Sequence, residues 1–449
     1  MAILGRRDVK TVLVLGIATL FWVAEGAPYR QFCSGDRRDL VEISNATEPI
    51  NNSTAAVNGT ATVNNGNAGN ANTVNNNGVF DVTTYGAKAD DKTINTMAFM
   101  KTWVAACKNS TGTAKVFVPE GTFVTGPVVF QGPCLNPVIF EVKGTIKATT
   151  DPSDYAEDSW FLFQIIDGLT ITGGGIFDGQ GESMWKYNTC KNEHTCVKPP
   201  SSIKFQRVNN SIIDGITSLN SKYFHFHITD SSNYTVVNVN ITAPANSPNT
   251  DGMHISDTSD IKVSDTKIGT GDDCISIGQG VTNAYISNVF CGPGHGLSVG
   301  SLGKYPNEKD VHGIFVTNCT LSNTTNGARI KTYAASPPSK ASNITYQDII
   351  MESVKNPIII DQKYSSRSSP EPSKVELSDV HFKNIKGTTI SNVAVTLSCS
   401  SSVPCKGVEL LDINLAFHDP QSQNSTIASQ CLNAEFTTGG AQNPPPCPK

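Results

Sequence analysis

Three ionisable residues recur at one step along the chain. Asp251, Asp273 and His295 are each 22 residues apart, in Asn249-Thr250-Asp251, Gly271-Asp272-Asp273 and Gly294-His295-Gly296. Asp272 adds a fourth group beside them. If the segments stack in register, these side chains form a column on one outer face. Carboxylates stacked about 4.8 Å apart repel, so their titrations couple and at least one pKa rises. Folding does not require that arrangement. An Asp-rich turn is ordinary at a strand end, and a lone Asp-Asp pair would be read that way. A register-matched Asp on one side and His on the other favour acid–base chemistry instead.

Farther on comes Arg329-Ile330-Lys331. Ile330 has the inward phase of a strand, so Arg329 and Lys331 point outward on one face. Two cations beside a carboxylate column suit an acidic ligand, because Arg holds a carboxylate bidentately and Lys adds a point charge. A salt-bridge network with the Asp cluster uses the same residues, and the two readings are compatible.

The elements that must position these groups are short β runs. From about Lys115 onward they are broken by Gly, Asn, Asp and Ser. Many are triplets with apolar ends: Val237-Asn238-Val239, Met253-His254-Ile255, Ile261-Lys262-Val263, Ile275-Ser276-Ile277, Leu297-Ser298-Val299 and Ile314-Phe315-Val316. Alternation turns the outer two inward and the middle one outward. Ile255, Ile277 and Val299 repeat the 22-residue step, which signals a solenoid. There is no Leu-x-x-Leu-x-Leu frame and no helix per repeat, and propeller blades need roughly 40 residues. A parallel β-helix fits best, each coil stacking on the next. One helix is predicted over Thr93 to Cys107, with Met97, Met100 and Val104 on one face and Phe99, Trp103 and Ala106 beside them. It is expected to cover an exposed sheet end.

The 449-residue chain carries a formal net charge of only -5, so whole-protein electrostatics favour no polyanion, nucleic acid included. Arg6, Arg7 and Lys10 precede an apolar run from Val12 to Val23, too short to span a bilayer. Residues 1–26 read as a signal peptide cleaved after Gly26, leaving a soluble, secreted protein with no membrane partner. Residues 27–78, Asn-rich from about Ser44, read as a disordered linker. The folded domain is expected over 79–430, with a tail over 431–449. Twelve cysteines fit an oxidising compartment. Cys190/Cys196, Cys274/Cys291, Cys399/Cys405 and Cys431/Cys447 are candidate bridges, and the spacings make a poor zinc site. Sequons at Asn45, Asn58, Asn109, Asn233, Asn240, Asn318, Asn323, Asn343 and Asn424 also fit secretion.

The four polar motifs, in this order, resemble glycoside hydrolase family 28, the polygalacturonases. Tyr85-Gly86-Ala87 and Asp178-Gly179-Gln180-Gly181 add to the likeness, which runs from Val79 to about Phe417. Ser247 to Gly252, Cys291 to Gly296 and Ser298 to Tyr305 resemble plant members, especially pollen exopolygalacturonases. The resemblance implies an all-β, right-handed parallel β-helix with an N-terminal capping helix. It implies hydrolysis of α-1,4-galacturonosidic bonds in polygalacturonic acid with inversion, by a monomer in the plant cell wall. Asp272 would be the general acid, Asp251 and Asp273 the pair that activates water, and His295 the group that tunes the acid. Asn249, Arg329, Lys331 and Tyr364 would hold substrate. No metal or organic cofactor is implied. Exo action is expected, with the insertion from Tyr187 to Pro200, stapled by Cys190 and Cys196, and the loop from Lys304 to Val311 as candidate walls. Endo action is the alternative, and a calcium-dependent lyase on the same type of fold is a more distant one.

Overall fold

The computed structural model describes residues 78–188, 198–365, 371–418 and 426–448. The expected signal peptide, nearly all of the linker, the Cys190/Cys196 pair and the sequons at Asn45, Asn58 and Asn424 lie outside them. Among the described residues, 29 strands pair in parallel throughout and wind into a right-handed parallel β-helix. One ladder carries the site. It runs through Phe226–Thr229, Met253–Ser256, Ile275–Ile277, Leu297–Leu302, Asn326–Tyr333 and Asn356–Tyr364.

The register confirms the repeat. Ile255 pairs with Ile277 and Ile277 with Val299, all buried. Beyond Val299 the coils lengthen, and Val299 pairs with Ile330, which pairs with Ile360. On the other faces the long strands turn corners at left-handed residues. Asp265 in Ser259–Gly269 has φ 51°, Asn288 in Thr282–Cys291 has φ 51°, and Asn318 in Val311–Ser322 has φ 52°. Asn and Asp tolerate that region better than other side chains with a Cβ. Asn238, at φ 55°, is another such corner. Val237-Asn238-Val239 is therefore a bend between Ser232–Val237 and Asn240–Thr242, not the expected strand.

The helix forms at Thr96–Asn109, and its aromatic stripe is the one that packs. Phe99, Trp103 and Ala106 are buried, whereas Met97 and Val104 are 61% and 55% exposed. The larger aromatic area decides which face packs. Phe99 meets Phe123 edge-on and also packs near Phe161; Trp103 packs on Phe130 and Phe163 and donates from Nε1 to the Gln131 carbonyl at 3.1 Å. A bridge not anticipated from spacing, Cys107–Cys134, fastens the end of the helix. Cys274–Cys291, Cys399–Cys405 and Cys431–Cys447 form as read from the sequence. Residues expected as a tail extend the solenoid instead: Ala434–Asn443 pairs with Cys405–Phe417. Its Gly-rich stretch lacks apolar alternation but supplies the backbone hydrogen bonds of a last coil. No helix among the described residues is long and apolar enough to cross a membrane.

Candidate active site

The site lies in the turns that enter the site ladder. The Gly252 amide donates to the Asp273 carbonyl at 2.9 Å, and the Cys274 amide to the Gly296 carbonyl at 2.9 Å. Asp251, Asp273 and His295 thus begin successive coils, as their spacing requires. Gly271 makes the close stacking possible, because a Cβ there would sit 1.9 Å from the Ser247 carbonyl oxygen. Cys274–Cys291 ties the middle turn to the far end of Thr282–Cys291.

The side chains do not form a simple column. His295 Nδ1 meets Asp272 Oδ1 at 3.0 Å. The Asp273 amide donates to the same oxygen at 2.8 Å, and Asn249 Nδ2 donates to Asp272 Oδ2 at 3.4 Å. Asp273 turns the other way. It accepts from Ser298 Oγ at 2.8 Å and from Lys331 Nζ at 2.6 Å, with Arg329 Nη1 at 3.5 Å. Asp251 Oδ2 accepts from Ser276 Oγ at 2.8 Å. His295 therefore pairs with Asp272 rather than with Asp273 above it.

Arg329 and Lys331 leave the core, as their strand phase requires, but both are buried in the cleft. Tyr364 covers them, its ring centre 5.5 Å from the Arg329 guanidinium and 5.3 Å from Lys331 Nζ. Tyr333 packs edge-on against Tyr364. Arg329 Nε is buried with no hydrogen-bond partner among the described residues. All eight residues singled out in the sequence are thus in one place. Reasoning on the sequence missed the roles of Ser276, Ser298 and Tyr223. The two serines were legible: His254, Ser276, Ser298 and Arg329 follow the same register, one per coil, as a second polar column.

Burial pushes the Asp251 pKa well above the carboxylate range, and repulsion from Asp272 and Asp273 adds to it. Burial also pushes Asp272 upward, but the His295 hydrogen bond and charge, Lys331 and the Asp273 amide outweigh it, so Asp272 lies below its ordinary value. For Lys331, burial opposes the charge, but Asp273 and the other acidic groups outweigh it, and the ammonium is held above its usual range. Burial raises the Tyr223 phenol, followed by the fields of Asp251 and Asp272, which places this ring beside the acids. Ligand atoms of Asp272, Asp273 and His295 lie within 4.8 Å of one another. A dication fits poorly there, because Lys331 and Arg329 already neutralise Asp273.

A parallel β-helix that gathers paired acids, a histidine and buried cations in one site fits a glycoside hydrolase. The profile of glycosyl hydrolases family 28 matches residues 107–436, and the chain belongs to that family. An exopolygalacturonase of Arabidopsis thaliana is 48% identical over 83% of this chain and 88% of its own. An exopolygalacturonase of Platanus acerifolia is 43% identical over 82% of this chain and 97% of its own. Among solved structures, a hyperthermoactive exopolygalacturonase from Thermotoga maritima superposes with a TM-score of 0.68 at 20% identity, covering 80% of this chain and 90% of that one, and shares the fold.

Proposed function

We propose that the protein hydrolyses α-1,4-galacturonosidic bonds in polygalacturonic acid, releasing single galacturonic acids from a chain end, as a monomer in the plant cell wall. The observation that carries this reading is the buried Arg329 guanidinium, beside Asp273 and beneath Tyr364, whose Nε has no partner among the described residues. A sugar carboxylate suits the forked donors of this guanidinium, while the Tyr364 ring packs on the sugar face. Lys331, committed to Asp273, supports the same anion through its field.

In this reading Asp272 protonates the departing oxygen, and Asp251 with Asp273 deprotonates the attacking water, giving inversion. Asn249 and His295 orient Asp272. Inverting sites hold acid and base carboxyls roughly 6.5 to 9.5 Å apart. Asp272 and Asp273 approach more closely than that at their nearest ligand atoms, and Asp251, which enters the preceding coil, shares the base role with Asp273. Donation by Asp272 requires its pKa to rise on binding. An anionic sugar that excludes water and adds like charge does this.

Exo action needs a wall at one end of the groove. The relatives' names support it, and so does the start of the insertion, where Asn188 Nδ2 donates to Asn249 Oδ1 at 3.2 Å and Trp185 Nε1 to the Ser221 carbonyl at 2.9 Å. Much of that expected wall lies outside the described residues. The second, around Tyr305, is held by Glu308, which accepts from the Lys304 amide at 2.7 Å and the Tyr305 amide at 2.9 Å. The test is digestion of polygalacturonate with a chelator present, following viscosity and products together. Monomer should appear at once while viscosity falls slowly. A steep viscosity drop with mid-length oligomers would make the enzyme endo-acting. Unsaturated products, or activity restored only by calcium, would replace the hydrolase with a lyase.

A further inference from the structure

An inverting hydrolase must clear its base after every turnover. The carboxylate that takes a proton from water keeps it until some group carries it away, and Asp251 is only 6% exposed. Its Oδ2 meets Ser276 Oγ at 2.8 Å, and Ser276 Oγ meets His254 Nδ1 at 2.8 Å. His254 is half-buried, stacked on Phe224 with ring centres 4.8 Å apart, and 5.4 Å from the His227 ring. Its Nε2 has no hydrogen-bond partner among the described residues.

We infer that Ser276 and His254 form the path by which Asp251 loses the proton it has taken from the attacking water. The inference rests on the proposed hydrolysis. Asp251 gives its proton to Ser276 Oγ, Ser276 gives its own hydrogen to His254 Nδ1, and His254 releases the hydrogen on Nε2 to a water molecule. Asp251 ends ionised, Ser276 and His254 end neutral, and one hydronium leaves. The imidazole ends as its Nδ1–H tautomer and exchanges back through water. A relay of this kind must pass protons without storing them. Burial, with the positive fields of His227, Lys331 and Lys198, lowers the His254 pKa to about 3, so the ring stays neutral. At the other end Asp251 faces Asp272, Asp273, Lys331 and the Tyr223 phenol. Ser276 and His254 are positioning residues here, since they act through Asp251.

The test separates passing a proton from holding a carboxylate. His254→Asn keeps an N–H donor for Ser276 but cannot relay. It should lower kcat roughly tenfold or more with KM nearly unchanged, within the range acid–base steps supply. Added imidazole should restore kcat in this variant and leave the wild type unaffected. Ser276→Ala, which cuts the path next to Asp251, should lose kcat without rescue. If His254→Asn does not fold, His254→Gln gives the same readouts. Wild-type kcat in the folded Asn variant, or a loss that imidazole does not restore, would overturn the relay. A wild type inert on polygalacturonate would sink the proposed activity, and the relay with it; with an active wild type, the variants judge the relay alone.

Discussion

Polar side chains stack from coil to coil both at the corners of this solenoid and in the site, and the two regions treat charge in opposite ways. At the corners, acids stack against amides of the next coil. Asn238 donates to Asp214 at 2.9 Å, Asn283 to Asp260 at 3.0 Å and Asn384 to Asp348 at 2.6 Å, all at the exposed surface. In the site, acid follows acid. Asp251 and Asp273 begin successive coils with Asp272 alongside, and the relief comes from Lys331, Arg329 and His295. The backbone stacking is the same in both. The corner column satisfies its own hydrogen bonds and serves folding. The site column keeps its charges buried and coupled, which costs stability and serves chemistry.

The largest effect should come from Asp272→Asn. An amide is nearly isosteric but cannot donate a proton as a carboxylic acid does, so turnover should fall by about 100-fold or more. The fold should persist, because Asn249, His295 and the Asp273 amide surround a polar group of the same shape. Near-normal kcat in a folded variant would remove Asp272 from the acid role and leave the site column without its defining donor.

Lys331→Ala comes next, and here the structure changes the expectation. Strand phase alone suggested an exposed cation whose loss would leave the fold untouched. Lys331 is buried, and its removal strips Asp273, itself fully buried, of its nearest cation. Breaking a buried pair from one side costs about 3–5 kcal/mol. The melting temperature should drop together with kcat/KM on polygalacturonate. A stable variant with unchanged kcat/KM would mean that the site column needs no counter-charge from Lys331.

Asp251→Asn should act in the reverse direction on stability. The folded pKa of Asp251 is raised above the model-peptide value of 3.8, so its ionisation favours the unfolded chain. The stability contributed by the neutral Asp251 carboxyl is complete below 3.8 and is lost as pH rises from there through the folded pKa. The Asn variant should be inactive yet melt higher than wild type at pH 7, and the gap should close as the pH approaches 3.8. Equal melting temperatures at both pH values would show that the column carries no strain.

How much of this was legible follows from coil length. Between Asp251 and Val299 the coils carry no insertion, so counting 22 residues places Asp251, Asp273 and His295 on successive coils and would also have placed Ser276 and Ser298. Past Val299 the loops lengthen. Arg329 and Lys331 were readable from strand phase, but Tyr364 came only from the family likeness. Side-chain rotation hides partners altogether: nothing in the spacing sends His295 to Asp272 instead of Asp273. The helix was visible, but its spacing offered two adjacent stripes and did not say that Phe99 and Trp103, not Met97 and Val104, would pack. Cys107–Cys134 was missed because it joins residues far apart in the sequence, and bridges were sought among close pairs.

The smallest expected effect comes from making a corner look like the site. Asn288, at φ 51°, donates to Asp265 across one coil step. Asn288→Asp puts acid on acid at the same stacking interval as Asp251 and Asp273, and the left-handed backbone tolerates it, since Asp265 already adopts φ 51°. The pair stays at the exposed surface, where water and salt screen it. Exposed charge interactions of this kind are worth roughly 0.2–1 kcal/mol. The melting temperature should fall slightly at low ionic strength, recover in about 1 M salt, and leave kcat/KM unchanged. Burial, not the stacking of like charges, would then be what makes the site column expensive. A loss of many degrees that salt does not reverse would break the comparison, because it would mean that the lost amide hydrogen bond, not the added charge, holds the corner.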